Sequence, residues 1–376
     1  MKGRLFFVAV FVVYFLVNLY LGIRVFSLFN TAIWSVQIIY ASVVVFLTLS
    51  PLLFFALRKR VGVPEAAILY KVGTGWLMLI VYAFLLALVS DILLILLGSF
   101  LKNNTQEILS LDKLQACFIV VGTLLIAGIG NVNYYRKKVV KLDLETEKPL
   151  NTTTKILVLS DLHLGHAISK KELQRWVAFI NKQEVDLVLF AGDIIDNSLL
   201  PLTYYELDVL LREIKSKYGV YACLGNHEYL ANVEMSLAFL AKSNIRVLRD
   251  EVVEVLDGQI QVIGRDDKSN PNRKTLNDLI QPNPNKVQIL LDHQPYHLAA
   301  AAEQQIDFQF SGHTHRGQVW PFSWITDYLF EKSHGYLRKG TTQYYISSGL
   351  GIWGGRYRIG TQSEYVLVTL NSKRKK

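Results

Sequence analysis

Apolar residues are concentrated in the first third of the chain, and this uneven distribution limits the possible folds more than any other feature. They dominate positions 5–132, whereas beyond Tyr134 charged residues recur every few positions. The 376-residue chain is 51% hydrophobic and 19% charged, which is too apolar for a soluble enzyme of this length. We therefore expect one region that folds in lipid and a second that folds in water.

Four apolar runs are long enough to cross a bilayer, which requires about 20 residues. They cover positions 5–20, 33–57, 72–100 and 114–132. Lys2 and Arg4 precede the first run, but no small-residue cleavage site follows it, so we interpret it as a retained anchor rather than a signal peptide. The predicted organisation is a four-helix transmembrane region at 1–135, a basic juxtamembrane linker at 136–153, a globular domain at 154–370 and a basic tail at 371–376.

The positive charges beside these runs predict the orientation in the membrane. If the N-terminus is inside, ten Lys and Arg residues flank the runs on the cytoplasmic side and three on the opposite side. By the positive-inside tendency, we expect a cell-membrane protein whose termini and globular domain are cytoplasmic. The net charge of +9 is not arranged as a stripe that would bind nucleic acid, so the expected partners are a lipid bilayer and a substrate. No feature of the sequence indicates an oligomeric state.

Asp91 lies inside the third apolar run, where an ionised side chain costs about 2.5–3.5 kcal/mol on insertion scales. Such a residue usually faces a partner or a cavity, which makes Asp91 a candidate for a functional role. The favoured interpretation is that Asp91 packs between helices near one interface, because the other runs contain no second carboxylate or basic residue.

Beyond the basic stretch, short apolar strands alternate with amphipathic helices, which indicates an α/β fold. Helices are predicted at 170–182 and 205–217. Strands are predicted at 156–160, 187–191, 220–224, 252–256, 260–264, 287–291, 308–310, 344–347 and 365–370.

Polar side chains follow five of these strands, at the point where each strand ends. The carboxyl ends of neighbouring strands in an α/β sheet meet at one edge, so these side chains are expected to converge. Carboxylate, amide and imidazole ligands without sulfur suit Mn, Fe or Zn, and the sequence does not choose among them. Each motif alone is common in turns, but the ordered set, which uses five of the eight histidines when His227 beside Asn226 is included, is not. The candidate ligands are Asp161, His163, Asp193, Asn226, His293, His313 and His315.

Taken together, the motifs resemble those of the calcineurin-like metallophosphoesterases over positions 154–370. The matching segments are Asp161-Leu162-His163, Gly192-Asp193 with Asp196, Gly225-Asn226-His227-Glu228, His293 and Gly312-His313-Thr314-His315. The resemblance implies a two-sheet α/β sandwich flanked by helices, with two divalent metal ions. It places Asp161, His163, Asp193 and His315 on one ion and Asp193, Asn226, His293 and His313 on the other, while His227 binds neither.

Segments 312–318 and 347–351 are similar to those of a membrane-bound branch of this family, some members of which act on lipid-linked phosphodiesters such as UDP-2,3-diacylglucosamine. Family members that act on phosphoproteins usually carry Arg-Gly after the second motif, whereas Asn197 and Ser198 follow Asp196 here. The resemblance therefore implies hydrolysis of phosphodiester or pyrophosphate bonds, with a lipid-linked molecule as one substrate class. The alternatives are a phosphomonoesterase and a non-catalytic membrane sensor or scaffold. The scaffold is disfavoured because all seven ligands are present.

Two cations that share a bridging hydroxide would supply the nucleophile at neutral pH. His227, beside Asn226, is expected to protonate the leaving oxygen or to stabilise the charge of the transition state. Arg356 and Arg358 are candidates for binding a phosphate or nucleotide, and an exposed basic rim is the alternative of equal weight. The aromatic stretch 320–330 is predicted to belong to the core, with an acyl-chain groove as the alternative.

Overall fold

The computed structural model describes residues 2–30, 32–98 and 105–373, which divide into two units. The helical unit contains the residues up to Val132 together with Gly354–Tyr357. The sheet unit contains Asn133–Trp353 and the residues from Arg358 onward. Positions 374–376 of the predicted basic tail lie outside the described residues.

Four long helices form the N-terminal part of the chain. They are α1 (Lys2–Phe26), α2 (Trp34–Leu57), α3 (Val63–Gly98) and α4 (Thr105–Tyr135). Each is long and apolar enough to span a membrane, over Phe7–Phe26, Trp34–Leu57, Val63–Leu96 and Ser110–Tyr135. The four predicted helices of membrane-span length are confirmed. α3 begins before position 72 because Glu65 and Lys71 interrupt the apolar run without interrupting the helical hydrogen bonds.

Asp91 on α3 is partnered within the helical unit. Its carboxylate forms an ion pair with Arg24 at 2.7 Å and accepts hydrogen bonds from Tyr20 and Gln115. Asp91 therefore packs between helices, as expected, but it has a basic partner that lies beyond the predicted bounds of the other apolar runs. The first apolar run was delimited at 5–20, but α1 continues past Arg24 and brings it to Asp91.

In the part of the chain that the structure describes, the sheet unit contains two six-stranded mixed sheets. The strands are β1 (Lys138–Thr146), β2 (Thr154–Leu159), β3 (Leu187–Ala191), β4 (Val220–Cys223), β5 (Arg246–Val247), β6 (Glu251–Val255), β7 (Ile260–Gly264), β8 (Val287–Leu291), β9 (Phe308–Ser311), β10 (Gly335–Lys339), β11 (Thr342–Ile346) and β12 (Glu364–Ser372). The first sheet has the order β1-β12-β2-β3-β4-β5 and the second the order β10-β11-β9-β8-β7-β6. The predicted two-sheet α/β architecture is confirmed.

Shorter helices flank the sheets. They are α5 (Lys170–Lys182), α6 (Leu200–Tyr204), α7 (Leu207–Leu211), α8 (Asn226–Ala231), α9 (Val233–Lys242), α10 (Leu276–Leu279), α11 (Ala299–Glu303) and α12 (Phe322–Leu329), with a 3₁₀ turn at His315–Gly317. α5 begins where the Ser169 hydroxyl accepts a hydrogen bond from the N–H of Glu172, which caps the first turn.

The core between the sheets follows from the two-residue period of the strands. Alternate residues, such as Ile156 and Val158 of β2 and Leu187 and Leu189 of β3, pack in one cluster with Phe308 of β9. β3 and β8 are buried along their whole length, so they carry continuous apolar runs, as parallel strands covered on both faces do.

Strands β5 and β10 were not predicted, and two further segments differ from the sequence predictions. Residues 138–146, within the predicted linker, form β1 and pair in parallel with β12. Their alternating charged and apolar residues suit a sheet edge, where one face stays exposed. Of the single helix predicted at 205–217, only residues 207–211 form a helix, α7, and Glu206 with its left-handed φ of 53° separates α7 from α6.

Candidate metal centre

The predicted ligands lie in loops and turns that follow five strand ends. β2, β3 and β4 run parallel in the first sheet, and β8 and β9 run parallel in the second. The carboxyl ends of parallel strands bring distant parts of the chain to one edge of a sheet. Asp161 and His163 follow β2, Asp193 follows β3, Asn226 follows β4, His293 follows β8, and His313 and His315 follow β9.

The first cluster joins Asp161, His163 and His315, whose candidate ligand atoms lie within 4.8 Å of one another. The Nε2 atoms of His163 and His315 are 2.9 Å apart, and His315 Nε2 is 3.3 Å from Asp161 Oδ1. All three side chains are buried. Two imidazole nitrogens and a carboxylate that meet at one point form a donor set suited to a transition-metal ion.

The second cluster joins Asp193, His293 and His313, again within 4.8 Å. His293 Nε2 is 3.1 Å from Asp193 Oδ2, and His293 Nδ1 is 2.8 Å from the carbonyl oxygen of Ala191. If Nδ1 donates its proton to that carbonyl, Nε2 is left unprotonated and able to bind a metal. Asp193 Oδ2 is also 3.7 Å from His163 Nε2, so Asp193 lies between the two clusters.

Asn226 occupies the first position of α8, and the N–H of the next residue, His227, donates to Asp193 Oδ1 at 2.9 Å. Asn226 Oδ1 is buried and has no hydrogen-bond partner among the described residues. A buried acceptor left unpaired costs about 1–3 kcal/mol, and such atoms are rare in folded proteins. A metal ion would satisfy this oxygen, because an amide carbonyl is a neutral ligand for divalent cations.

The backbone is strained at most of these positions. Five candidate ligands have a left-handed φ, a conformation that costs non-glycine residues about 1–3 kcal/mol and clusters at functional sites. They are Asp161 (55°), His163 (48°), Asp193 (52°), His313 (70°) and His315 (47°). Gly312, before His313, has to be glycine because a Cβ there would collide with the Asp161 carboxylate. The strained backbone conformations therefore occur where the ligand side chains converge.

Burial and neighbouring charges set the protonation states. Burial lowers the pKa of His313 and of His315 to about 4, so both imidazoles are neutral at pH 7. Burial opposes ionisation of Asp161 and Asp193, but the adjacent histidines outweigh burial and hold the pKa of each carboxyl below its usual range. Burial also disfavours a charge on His293, yet Asp193 raises the pKa of His293 well above its usual value. Metal binding would displace that proton.

His227 lies beside both clusters and is more accessible than the candidate ligand His163. Its side chain is 20% exposed, whereas that of His163 is 1% exposed. His227 Nδ1 is 3.1 Å from Asp196 Oδ1, and the two histidine rings pack edge to face at 4.5 Å. Burial lowers the pKa of His227, but the Asp196 hydrogen bond outweighs it and raises that pKa to about 9. His227 also groups with His163 and Asp193 as a possible ligand set.

Glu228 is a supporting residue to which the sequence analysis gave no role. Its fully buried carboxylate accepts hydrogen bonds from the N–H groups of Asp193 (3.0 Å), Ile195 (2.9 Å) and Gly225 (2.8 Å). Glu228 thus joins the loop after β3 to the loop after β4. The sequence contained a usable signal, because a Glu at the third position of a helix often binds back to the N–H before it.

The two predicted substrate-binding arginines lie in different units. Arg358 is fully buried, and its guanidinium donates to the carbonyl oxygens of His315 (3.0 Å), Gly351 (2.7 Å) and Gly349 (3.4 Å). Arg358 therefore holds the backbone of the segment that contains His315 in place through hydrogen bonds. Arg356 belongs to the helical unit, where its carbonyl oxygen accepts a hydrogen bond from Asn131. Contact with a substrate stays a prediction for both arginines.

These observations together fit a metal centre. The donor set combines oxygen and nitrogen, and Asn226 Oδ1 finds no hydrogen-bond partner in the described ranges. The two Nε2 atoms at 2.9 Å require a shared proton or a cation between them, because two unprotonated nitrogens repel.

The sequence of this chain is similar to those of known proteins. Residues 154–317 match the family model described as calcineurin-like phosphoesterase. The chain is 30% identical over 290 residues to a metallophosphoesterase of Campylobacter jejuni, across 75% of this chain and 76% of that protein. It is 35% identical over 231 residues to an uncharacterized metallophosphoesterase of Helicobacter pylori, and spans 61% of that relative and 60% of its own length. A transmembrane protein with a metallophosphoesterase domain from Danio rerio is 28% identical over 291 residues, across 72% of this chain and 65% of the relative.

Proposed function

Because the chain belongs to the calcineurin-like metallophosphoesterase family, we propose that it hydrolyses phosphodiester or pyrophosphate bonds and that its substrate is lipid-linked. The observation behind this proposal is the set of carboxylate and imidazole groups that converge from five strand ends. Four helices of membrane-span length support a lipid-linked substrate, since a tethered enzyme meets lipid headgroups at high local concentration.

The site would hold two divalent cations, with Mn, Fe and Zn all compatible with the donor set. Asp161, His163 and His315 would hold one cation, Asn226, His293 and His313 the other, and Asp193 would be shared. When bound, such ions supply Lewis-acid activation of the phosphoryl group and of a water molecule. No side chain then has to act as the nucleophile.

His227 would give a proton to the leaving oxygen. Asp196 orients its imidazole through Nδ1 at 3.1 Å, and the partial exposure of His227 leaves it accessible to a substrate. His163 makes a longer contact to Asp196, with its Nδ1 at 3.6 Å, but it is buried inside the first cluster. Of the two histidines that contact Asp196, His163 would therefore be a metal ligand and His227 the proton donor.

We also propose that the sheet unit is cytoplasmic, on the support of the excess of Lys and Arg on that side of the apolar runs. The test is labelling with a membrane-impermeant maleimide, in a Cys117→Ala background that carries Met235→Cys on an exposed part of α9. We expect labelling only after lysis of the cells that express the protein. Labelling of intact cells would show that the sheet unit lies on the opposite side of the membrane.

Substrate class is tested with the full-length protein in detergent micelles with Mn²⁺. The substrates are bis-p-nitrophenyl phosphate, p-nitrophenyl phosphate and a panel of lipid-linked diphosphates. We expect a higher kcat/KM for the diester and the diphosphates than for the monoester. Preference for the monoester would favour the phosphomonoesterase alternative. Bound metal without hydrolysis of any substrate would favour the scaffold.

The role of His227 is tested by His227→Asn with two leaving groups of different basicity. A p-nitrophenolate ion departs without a proton, whereas an alkoxide needs one. We expect the variant to keep its metal and to lose about 10²–10⁴-fold in kcat on an unactivated alkyl phosphodiester, with a smaller loss on bis-p-nitrophenyl phosphate. Equal losses on both substrates would argue against proton donation.

A further inference from the structure

Helix α12 carries its apolar side chains on the outside. None of its eight residues, all of which the structure describes, is buried. At about 100° per residue, the five large apolar side chains occupy one arc of about 160°, and Ser323, Thr326 and Asp327 lie on the remaining side. The exposed fractions are 40% for Phe322, 64% for Trp324, 52% for Ile325, 89% for Tyr328 and 60% for Leu329. The predicted core location is therefore wrong for this helix.

The polar residues of α12 make their hydrogen bonds within the sheet unit. Thr326 Oγ1 donates to the carbonyl oxygen of Ser323 at 2.9 Å, and the Asp327 carboxylate accepts a hydrogen bond from Ser333, a buried residue. An ordinary surface helix has the opposite arrangement, with its apolar stripe toward the core. A contiguous exposed apolar face of this kind marks an interaction surface.

Composition and chain connectivity indicate which partner this surface meets. Trp and Tyr are the residues that concentrate at membrane–water interfaces, because one part of each ring system is apolar and another is polar. The chain itself has four helices of membrane-span length, and only two residues separate the end of α4 at Tyr135 from the start of β1 at Lys138. Gln318, shortly before α12, bonds to both main-chain groups of Trp353, after which the chain enters the helical unit at Gly354.

We propose that α12 lies in the membrane interface, with its arc of Phe322, Trp324, Ile325, Tyr328 and Leu329 inserted among lipid headgroups and upper acyl chains. A helix with one strongly apolar face and a hydrogen-bonded polar face binds a bilayer in this way. Four residues separate α12 from the 3₁₀ turn that contains the candidate ligand His315. Insertion of α12 would therefore fix how this ligand-bearing segment faces the lipid surface, whatever the substrate is.

The test measures the depth of spin labels in the full-length protein reconstituted in phosphatidylcholine nanodiscs. In a Cys117→Ala, Cys223→Ala background, a nitroxide is attached at Ile325→Cys or Leu329→Cys. Met235→Cys on α9 is the water-exposed control, since its native side chain is 57% exposed. Leu124→Cys on α4 is the lipid-exposed control, with a native side chain that is 66% exposed.

Collisions with oxygen, which partitions into lipid, are compared with collisions with a water-soluble nickel chelate. We expect the labels at positions 325 and 329 to favour oxygen, as at position 124, and the label at position 235 to favour the chelate. Labels on α12 that match position 235 would overturn the proposal. Labels protected from both reagents would also overturn it, because they would show contact with protein. Thermal unfolding of each labelled variant checks that the fold is intact.

Discussion

The helical unit and the sheet unit each contain a polar cluster, and the two clusters are built in opposite ways. Around Asp91, the polar groups find protein partners: Arg24 at 2.7 Å, Tyr20 and Gln115. Around Asp193, the nearby Asn226 Oδ1 has no hydrogen-bond partner within the described part of the chain. A partnered cluster stabilises packing, whereas one that leaves a buried acceptor unpaired is prepared for a ligand.

Backbone geometry shows the same contrast. Asp91 lies in the regular backbone of α3, while Asp161 and Asp193 adopt left-handed φ values of 55° and 52°. Strain of this kind persists only where the surrounding structure enforces it, and here Glu228 and Arg358 provide hydrogen bonds that do so. The comparison teaches that a buried charge indicates function when its surroundings are strained and incompletely paired.

The largest expected effect comes from removing the carboxylate of Asp193, which lies between the two ligand clusters of the candidate metal centre. Asp193→Ala should lose bound metal and lower kcat/KM for a phosphodiester by at least about 10²-fold, because an interaction at the reacting centre is lost. Metal content is measured by mass spectrometry of the purified protein and activity by diester hydrolysis. Asp91→Ala is the matched change in the helical unit, and this variant should retain its metal. Equal metal loss in both variants would contradict the contrast drawn between the metal centre and the Asp91 cluster.

Glu228→Gln should weaken metal binding by about 10–100-fold, as loss of supporting hydrogen bonds around a metal ligand does. A carboxamide has one oxygen acceptor in place of two and cannot accept all three N–H groups that Glu228 binds. The metal dissociation constant is measured by titration with Mn²⁺. Glu234→Gln is the control, because the Glu234 side chain is 78% exposed. Unchanged affinity in the Glu228 variant would show that the loops hold their shape without it.

Arg358→Lys should weaken metal binding by about 10-fold and lower the melting temperature. One ammonium group cannot reproduce the planar fork that reaches the carbonyl oxygens of His315, Gly349 and Gly351. Arg212→Lys is the matched control at a side chain that is 48% exposed. If Arg358→Lys instead raised KM for substrate and left metal affinity unchanged, the arginine would be a substrate contact, which is one of the two alternatives that the sequence leaves open.

The smallest expected effect belongs to the Asp91 cluster. A double-mutant cycle with Arg24→Gln and Asp91→Asn should give a coupling free energy of about 0.6 kcal/mol and at most about 1.7 kcal/mol, the average and the maximum for polar contacts between membrane helices. Unfolding of the protein in mild detergent supplies the four free energies of unfolding, and diester hydrolysis should be unchanged in all variants. A coupling near zero would show that Arg24 and Asp91 are paired in the structure without stabilising it.

Much of the fold follows from local patterns in the sequence. The strands at 187–191, 260–264 and 287–291 and the helix at 170–182 have the predicted bounds, because apolar periodicity reflects the face that each element buries. The residues of the candidate metal centre could also be identified from the sequence, since polar groups placed after buried strands have to meet at the ends of those strands. Their metal-binding roles stay a prediction that the proposed experiments test.

The tertiary structure decided what depends on contacts between distant residues. Arg24 became the partner of Asp91, and Arg358 became buried behind His315, through packing between segments far apart in the chain. The aromatic residues of α12 face outward although their composition is that of a core. The hydrophobicity and the periodicity of a segment indicate which of its residues are apolar and which share one face. They do not indicate which other part of the molecule covers that face. Only the packed arrangement of elements determines whether a charge finds a partner and whether an apolar face stays exposed.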